Sequence, residues 1–163
     1  MNRSTQMRTR SSIAALAGAT LIACVMSSAA LGQDEGGLYI AGDGFSFEQA
    51  ANRALAQNPN GRRFFLLALP PNTKALTDAA PKSVAALRDR VKAQGGVILV
   101  CQRDVDKRVI DARRLAPGVV AVRGFPPPGS NAIPPGERYF PGENPDNLPR
   151  SNEALRRLRS TCS

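Results

Sequence analysis

The chain has no histidine and no tryptophan, and its 163 residues include only six phenylalanines, two tyrosines and three cysteines. Without histidine the commonest general base is missing, and with so few thiols no zinc site or other metal site is expected. A secreted hydrolase lacks its constellation: there is no Ser/His pairing, and Asp43 with Glu48, or Asp104 with Asp106, read as helix caps and surface charge. Nor is there a phosphate-cradling loop, because Gly42-Asp43-Gly44 belongs to neither a GxGxxG nor a GK[ST] pattern and reads as a turn. Basic residues are plentiful but scattered, at Arg62-Arg63, Arg113-Arg114 and Arg156-Arg157-Leu158-Arg159. Few aromatics accompany them and no groove-reading motif does, so nucleic acid is not an expected partner.

Long hydrophobic runs are also scarce. Ile13 to Ala23 is apolar but shorter than the roughly 20 residues a membrane span needs. With Arg3, Arg8 and Arg10 before it and Ala30-Leu31-Gly32 after it, residues 1–32 read as an export signal cleaved after Gly32 or Ala30. A second reading takes Leu21-Ile22-Ala23-Cys24 as a lipobox, which would lipidate Cys24 and make it a membrane anchor. The expected location is therefore periplasmic or secreted, with lipoprotein anchoring as the alternative. The signal carries three of the 22 basic residues and no acid, leaving 19 basic against 13 acidic, a net of +6. After cleavage only Cys101 and Cys162 remain, and in an oxidising compartment they can close one disulfide.

What the chain does contain is an alternation of strand and helix signals. Gly37 to Ala41 is a short strand. Ser46 with Gln49 three residues on forms a capping box for a helix whose Ala50, Ala51, Ala54 and Leu55 recur at helical spacing, and Asn58-Pro59-Asn60-Gly61 stops it. Phe64 to Leu69 is continuously apolar, the mark of a strand covered on both faces. Pro70-Pro71 ends it and a loop follows to Ala80. Pro81 opens a helix with Val84, Leu87 and Val91 on its apolar stripe and Lys82, Arg88, Asp89 and Lys92 facing water. Gly95 caps it, and the strand Gly96 to Cys101 follows at once. Asp104 can cap a short helix carrying Val105 and Val109, and Pro117-Gly118 turns the chain into a fourth strand, Val119 to Val122.

This order predicts an α/β domain over residues 33–125: a small parallel sheet in three layers. Right-handed crossovers would bring the carboxyl ends of the strands, and with them Cys101, to the edge where open α/β sheets place ligands. Residues 126 to 150 carry eight prolines and predict an extended segment. Ser151 then caps a short basic helix with Ala154, Leu155 and Leu158 on one side. The tail, residues 126–163, either packs back on the domain or docks on a partner.

Cys101 is the candidate functional residue. A thiol between a strand end and a helix start feels the positive end of the helix dipole, and Arg103, Lys107 and Arg108 add cationic charge. Both favour thiolate, and the cations would attract sulfite, thiosulfate or a persulfide. The alternative is an inert buried cysteine, a common fate for this residue.

The segment Gly96 to Cys101 followed by Asp111-Ala-Arg-Arg-Leu115-Ala-Pro117-Gly118-Val119-Val120 resembles the DsrE/DsrF-like family of sulfur-relay proteins, in which a "GV.v.vC" strand precedes a "dL.pGv.vv" segment at this separation. The resemblance covers roughly residues 46 to 122. It implies a three-layer α/β fold, frequent homo-oligomerisation and a cysteine, here Cys101, that accepts persulfide sulfur from a donor protein and passes it to an acceptor. Such transfer is thiol exchange in kind and needs no cofactor. Leu69-Pro70-Pro71 stands where the family has its His-Gly pair, and the proline-rich tail replaces its last helix.

Two functions follow as expectations. One is an exported sulfane-sulfur carrier or transferase acting through Cys101, with Arg103, Lys107 and Arg108 as anion contacts. The other is a non-enzymatic envelope module in which Cys101 is buried or bonded to Cys162 and the basic tail docks on another protein.

Overall fold

The computed structural model describes residues 35–163; the segment expected to be an export signal, residues 1–32, and with it Cys24, lies outside the described residues. Four strands, β1 (Leu38–Ala41), β2 (Phe64–Ala68), β3 (Gly96–Cys101) and β4 (Val119–Val122), form one all-parallel sheet in the order β1-β2-β3-β4. Helix α1 (Phe47–Gln57) joins β1 to β2 and α2 (Lys82–Ala93) joins β2 to β3. The short α3 (Gln102–Asp106) and a 3₁₀ turn at Ala112–Arg114 lie between β3 and β4, and α4 (Asn152–Thr161) ends the chain. The sequence reading of a small parallel α/β domain therefore holds.

The local signals act as chemistry requires. Ser46 Oγ accepts from Gln49 N–H at 3.2 Å while Gln49 Oε1 accepts from Ser46 N–H at 2.8 Å, so two N–H groups that the first turn of α1 leaves unpaired are satisfied reciprocally. Asn58 then closes α1 by donating its side-chain amide to the Ala54 carbonyl at 2.8 Å and to the Tyr39 hydroxyl at 3.0 Å. All five residues of β2 are buried, because it lies inside the sheet with both faces covered.

Alternation along β2 and β3 divides the core into two layers. Phe64, Leu66, Ala68, Ile98 and Val100 face α1 and α2, packing on Ala51, Ala54, Val84 and Val91. Phe65, Leu67, Leu99 and Cys101 face the other way, against Leu148, Leu155, Leu158 and Cys162. A 1-2-3-4 order explains the asymmetry. Each right-handed crossover steps in the same direction and so places its helix on the same face. The opposite face is left to the tail, and α4 covers it. Burying Leu158, which is 1% exposed, stabilises this face by roughly 1.5–3 kcal/mol.

The tail is anchored by a polar cluster as well as by α4. Glu143 accepts two hydrogen bonds from the Arg159 guanidinium, at 3.0 and 2.7 Å, and a third from Phe140 N–H at 2.9 Å. Arg159 also donates to the Arg123 carbonyl just past β4, at 3.0 Å. The Phe140 ring lies beneath both guanidiniums, 4.7 Å from Arg159 and 5.2 Å from Arg123. Burial alone would raise the Glu143 pKa, but the hydrogen bonds from Arg159 and Phe140 outweigh it and hold the carboxyl below its ordinary value.

Three local expectations need correction. Arg88 does not face water: it is 7% exposed, and its guanidinium donates to the carbonyls of Ala75 (2.6 Å) and Thr77 (2.7 Å). Those carbonyls belong to a segment that the proline pair predicted as plain loop, yet Asn72–Leu76 winds as a 3₁₀ helix with Leu76 fully buried. Asp104 is not a cap but lies inside α3, 5% exposed, and Val109 falls beyond that helix, half exposed. For Arg88 the deciding groups are main-chain carbonyls of the preceding segment, which its own helix does not reveal.

Candidate functional site

Cys101 ends β3 and sits at the N-cap of α3, where the sequence placed it, with backbone angles still extended (φ −71°, ψ 131°). It is 0% exposed, and its sulfur is bonded to that of Cys162, the C-cap residue of α4, which is 2% exposed. The two Cα atoms are 5.1 Å apart across 61 positions of sequence. Leu99, Val122, Leu155 and Leu158 belong to the same apolar layer as the cross-link. Gly124 makes room for it: a Cβ there would collide with the backbone of Cys162 and Ser163.

The three cations expected to serve a thiolate do not gather on one. Arg103 is half-buried and turns to the C-terminus, donating to the Ser163 carbonyl, with its Nε 3.7 Å from Asp104. Lys107 and Arg108 are exposed, and Arg108 ends α3 in the left-handed region (φ 56°). With the sulfur oxidised to a disulfide there is no thiolate for either the helix dipole or the cations to stabilise. In this state Cys101 is a fastener between the end of β3 and helix α4.

The edge at the carboxyl ends of the strands carries no ligand crevice of the switch-point kind. Such a crevice opens where neighbouring crossovers run in opposite directions, and here the order never reverses. A groove of about 560 Å³ does lie there, among Phe47, Pro71, Ala80, Val84 and Ile110. Its charged rim is already engaged in part: Arg114 Nε is 3.2 Å from Asp78, and Asp111 accepts Arg113 N–H, which holds its carboxyl below the ordinary value. Among the described residues no group of three or more histidine, cysteine or carboxylate side chains is placed to hold a metal ion. No helix among them is long and apolar enough to cross a membrane.

The second groove, of about 500 Å³, runs along the free side of β1 between α1 and α4. Sequence reasoning missed it. It is formed by helices about 100 residues apart in the chain, and the only local signal was a strand, Leu38-Tyr39-Ile40-Ala41, without proline or charge.

No family model, no curated protein and no solved structure matches this chain. The resemblance to sulfur-relay proteins therefore rests on the sequence pattern alone, chiefly Cys101 and the Leu115-x-Pro117-Gly118-Val119 spacing.

Proposed function

We propose that this chain is a non-enzymatic binding module of the cell envelope, its α/β domain locked by the Cys101–Cys162 disulfide. One observation supports the reading above all: the only cysteine in the sheet is wholly buried and covalently committed to the C-terminal helix. A sulfur carrier needs a sulfur that a donor and an acceptor can reach in turn. Here access would require α4 to leave the sheet and uncover Phe65, Leu67 and Leu99.

The test is intact-mass spectrometry of protein purified from the periplasm, with alkylation before and after reduction and after incubation with thiosulfate or polysulfide. The binding-module reading expects a species about two daltons lighter than the dithiol form, inert to alkylating agent until reduced and without sulfur adducts. Ready alkylation of Cys101, with adducts of one sulfur that disappear in Cys101→Ser, would restore the sulfur-relay reading and sink this one. The same spectra read the processed N-terminus, and so separate cleavage near Gln33 from lipidation at Cys24.

A further inference from the structure

We infer that the free edge of β1 is a docking site for an extended, acidic segment of another protein, which adds to the sheet as a fifth strand. The inference rests on the binding-module reading and names the partner's chemistry.

The backbone comes first. The carbonyls of Gly37 and Ala41 accept from Phe65 and Leu69 N–H of the β2 segment, at 2.9 and 2.8 Å. In a parallel ladder alternate residues bond to the same side. Gly37, Tyr39 and Ala41 are thus committed to β2, and Leu38 and Ile40 direct their N–H and C=O groups outward. Among the described residues no strand pairs with that side. Edge strands are ordinarily blunted by lysine, proline, a bulge or an inward charge. β1 has none of these within Leu38–Ala41.

The walls select the occupant. Arg53 of α1 and Arg157 of α4 line the groove on opposite faces of the sheet. Among the described residues neither guanidinium has a carboxylate within salt-bridge distance. The two acids at the groove differ: Glu35 is occupied in accepting from Arg150 and Ser151 N–H, and Glu153 sits in the first turn of α4, where the helix dipole favours it. Arg53 and Arg157 are therefore the groove's cations open to a ligand, and the mature chain's net +6 draws acidic partners toward it.

A second copy fits less well. Two-fold pairing through β1 would set α1 against its own copy, with Arg53, the middle residue of the Ala50, Arg53, Gln57 stripe, facing its equivalent. A single extended segment meets no such repulsion. Strand addition supplies its affinity through main-chain bonds and its selectivity through alternating side chains. Four residues of β1 span about 13 Å. Because the arginines lie on opposite faces, the segment's carboxylates must fall an odd number of positions apart.

The test uses the processed, oxidised protein and a fluorescein-labelled, end-capped hexapeptide of threonine and valine with two adjacent central glutamates, read by fluorescence anisotropy. Binding is expected, weakened about fivefold by Arg53→Gln and again by Arg157→Gln, and lost when the glutamates are replaced by lysines. Ile40→Pro should abolish it while leaving the β1–β2 ladder intact, since proline is tolerated where an edge residue's N–H faces outward. Methylating every second amide of the peptide, in the set that faces β1, should abolish it without touching the protein. Binding indifferent to amide methylation, or a dimer in sedimentation that Ile40→Pro disperses, would overturn the inference. If the peptide fails to bind while the disulfide is intact and inert, only this docking site is refuted; an alkylatable Cys101 refutes the binding-module reading itself.

Discussion

Removing the disulfide should destabilise the protein by an amount set chiefly by the length of chain it closes. Cys101 and Cys162 are separated by 61 positions. In the chain-entropy description, closing a loop of that length lowers the unfolded state's entropy enough to stabilise the fold by about 4 kcal/mol at 25 °C. The double variant Cys101→Ala/Cys162→Ala keeps the cross-link's surroundings apolar and avoids stranding a lone thiol. In urea it should lose about 4 kcal/mol of unfolding free energy relative to the oxidised protein. For a domain of this size that is a fall in Tm of roughly 10–15 °C. The urea slope should also change. Without the link the unfolded chain expands further and exposes more surface, so the variant's m-value should be the larger. Because both sulfurs are buried, reduction of the native protein should be slow and should accelerate with urea, as opening becomes easier. A loss below about 1 kcal/mol with an unchanged m-value would refute the reasoning. It would mean that the 61-residue loop stays compact in the unfolded state or that the link does not form.

Glu143 predicts a pH dependence. Its carboxyl is held below the ordinary value in the fold, so its contribution is fully present above the unfolded pKa and is lost as pH falls through the folded one. Urea midpoints taken from pH 6 to pH 3 should drop more steeply in the parent than in Glu143→Gln, and parallel curves would remove Glu143 from the account. Breaking the same cluster from the other side, Arg159→Met should cost about 3 kcal/mol, since it strands a largely buried carboxylate, and equilibrium unfolding reads this directly. Arg88→Lys should lose about 1.5–3 kcal/mol despite keeping the charge, because the shorter lysine side chain does not carry its ammonium to the place where Nη1 meets both carbonyls. Limited proteolysis should then open the Asn72–Ala80 segment, and a parent-like digest would count against that role. Gly96→Ala should destabilise by about 1–3 kcal/mol, since its Cβ would stand 2.7 Å from the Phe64 ring, and thermal unfolding measures it.

Much of the fold was legible because it is written in neighbouring residues. The capping box at Ser46 and Gln49, the unbroken apolar runs of β2 and β3 and the helical spacing of Ala50, Ala51, Ala54 and Leu55 act within a few positions of one another, and each forms as read. From these the parallel α/β class follows, since strands in such alternation need crossovers. The candidate site was legible in its position and in its possible partner, not in its state. The sequence put Cys101 at the end of β3 and offered Cys162 as a possible disulfide partner, but whether the two bond is decided by the fold that brings them together across 61 positions. Arg88 was misread for the same reason. On its own helix it belongs to the polar stripe, and only the carbonyls of Ala75 and Thr77, delivered by the preceding 3₁₀ segment, draw it inside.

The tail and the β1 groove lie wholly on the tertiary side of that line. Proline content predicted irregular backbone from 126 to 150, yet where that backbone goes is decided by the sheet order. Three crossovers in one direction leave the face of Phe65, Leu67 and Leu99 uncovered, and α4 is the apolar surface available to bury it. Once α4 covers one face of the sheet and α1 the other, the outer side of β1 becomes a walled groove with an arginine on each bank. By itself the sequence determined which segments are strands and helices, because those choices are made by local hydrogen bonding and side-chain periodicity. The tertiary structure decided that Cys101 pairs with Cys162, what the tail covers and that a groove runs along β1, because each depends on groups that only the folded chain brings together.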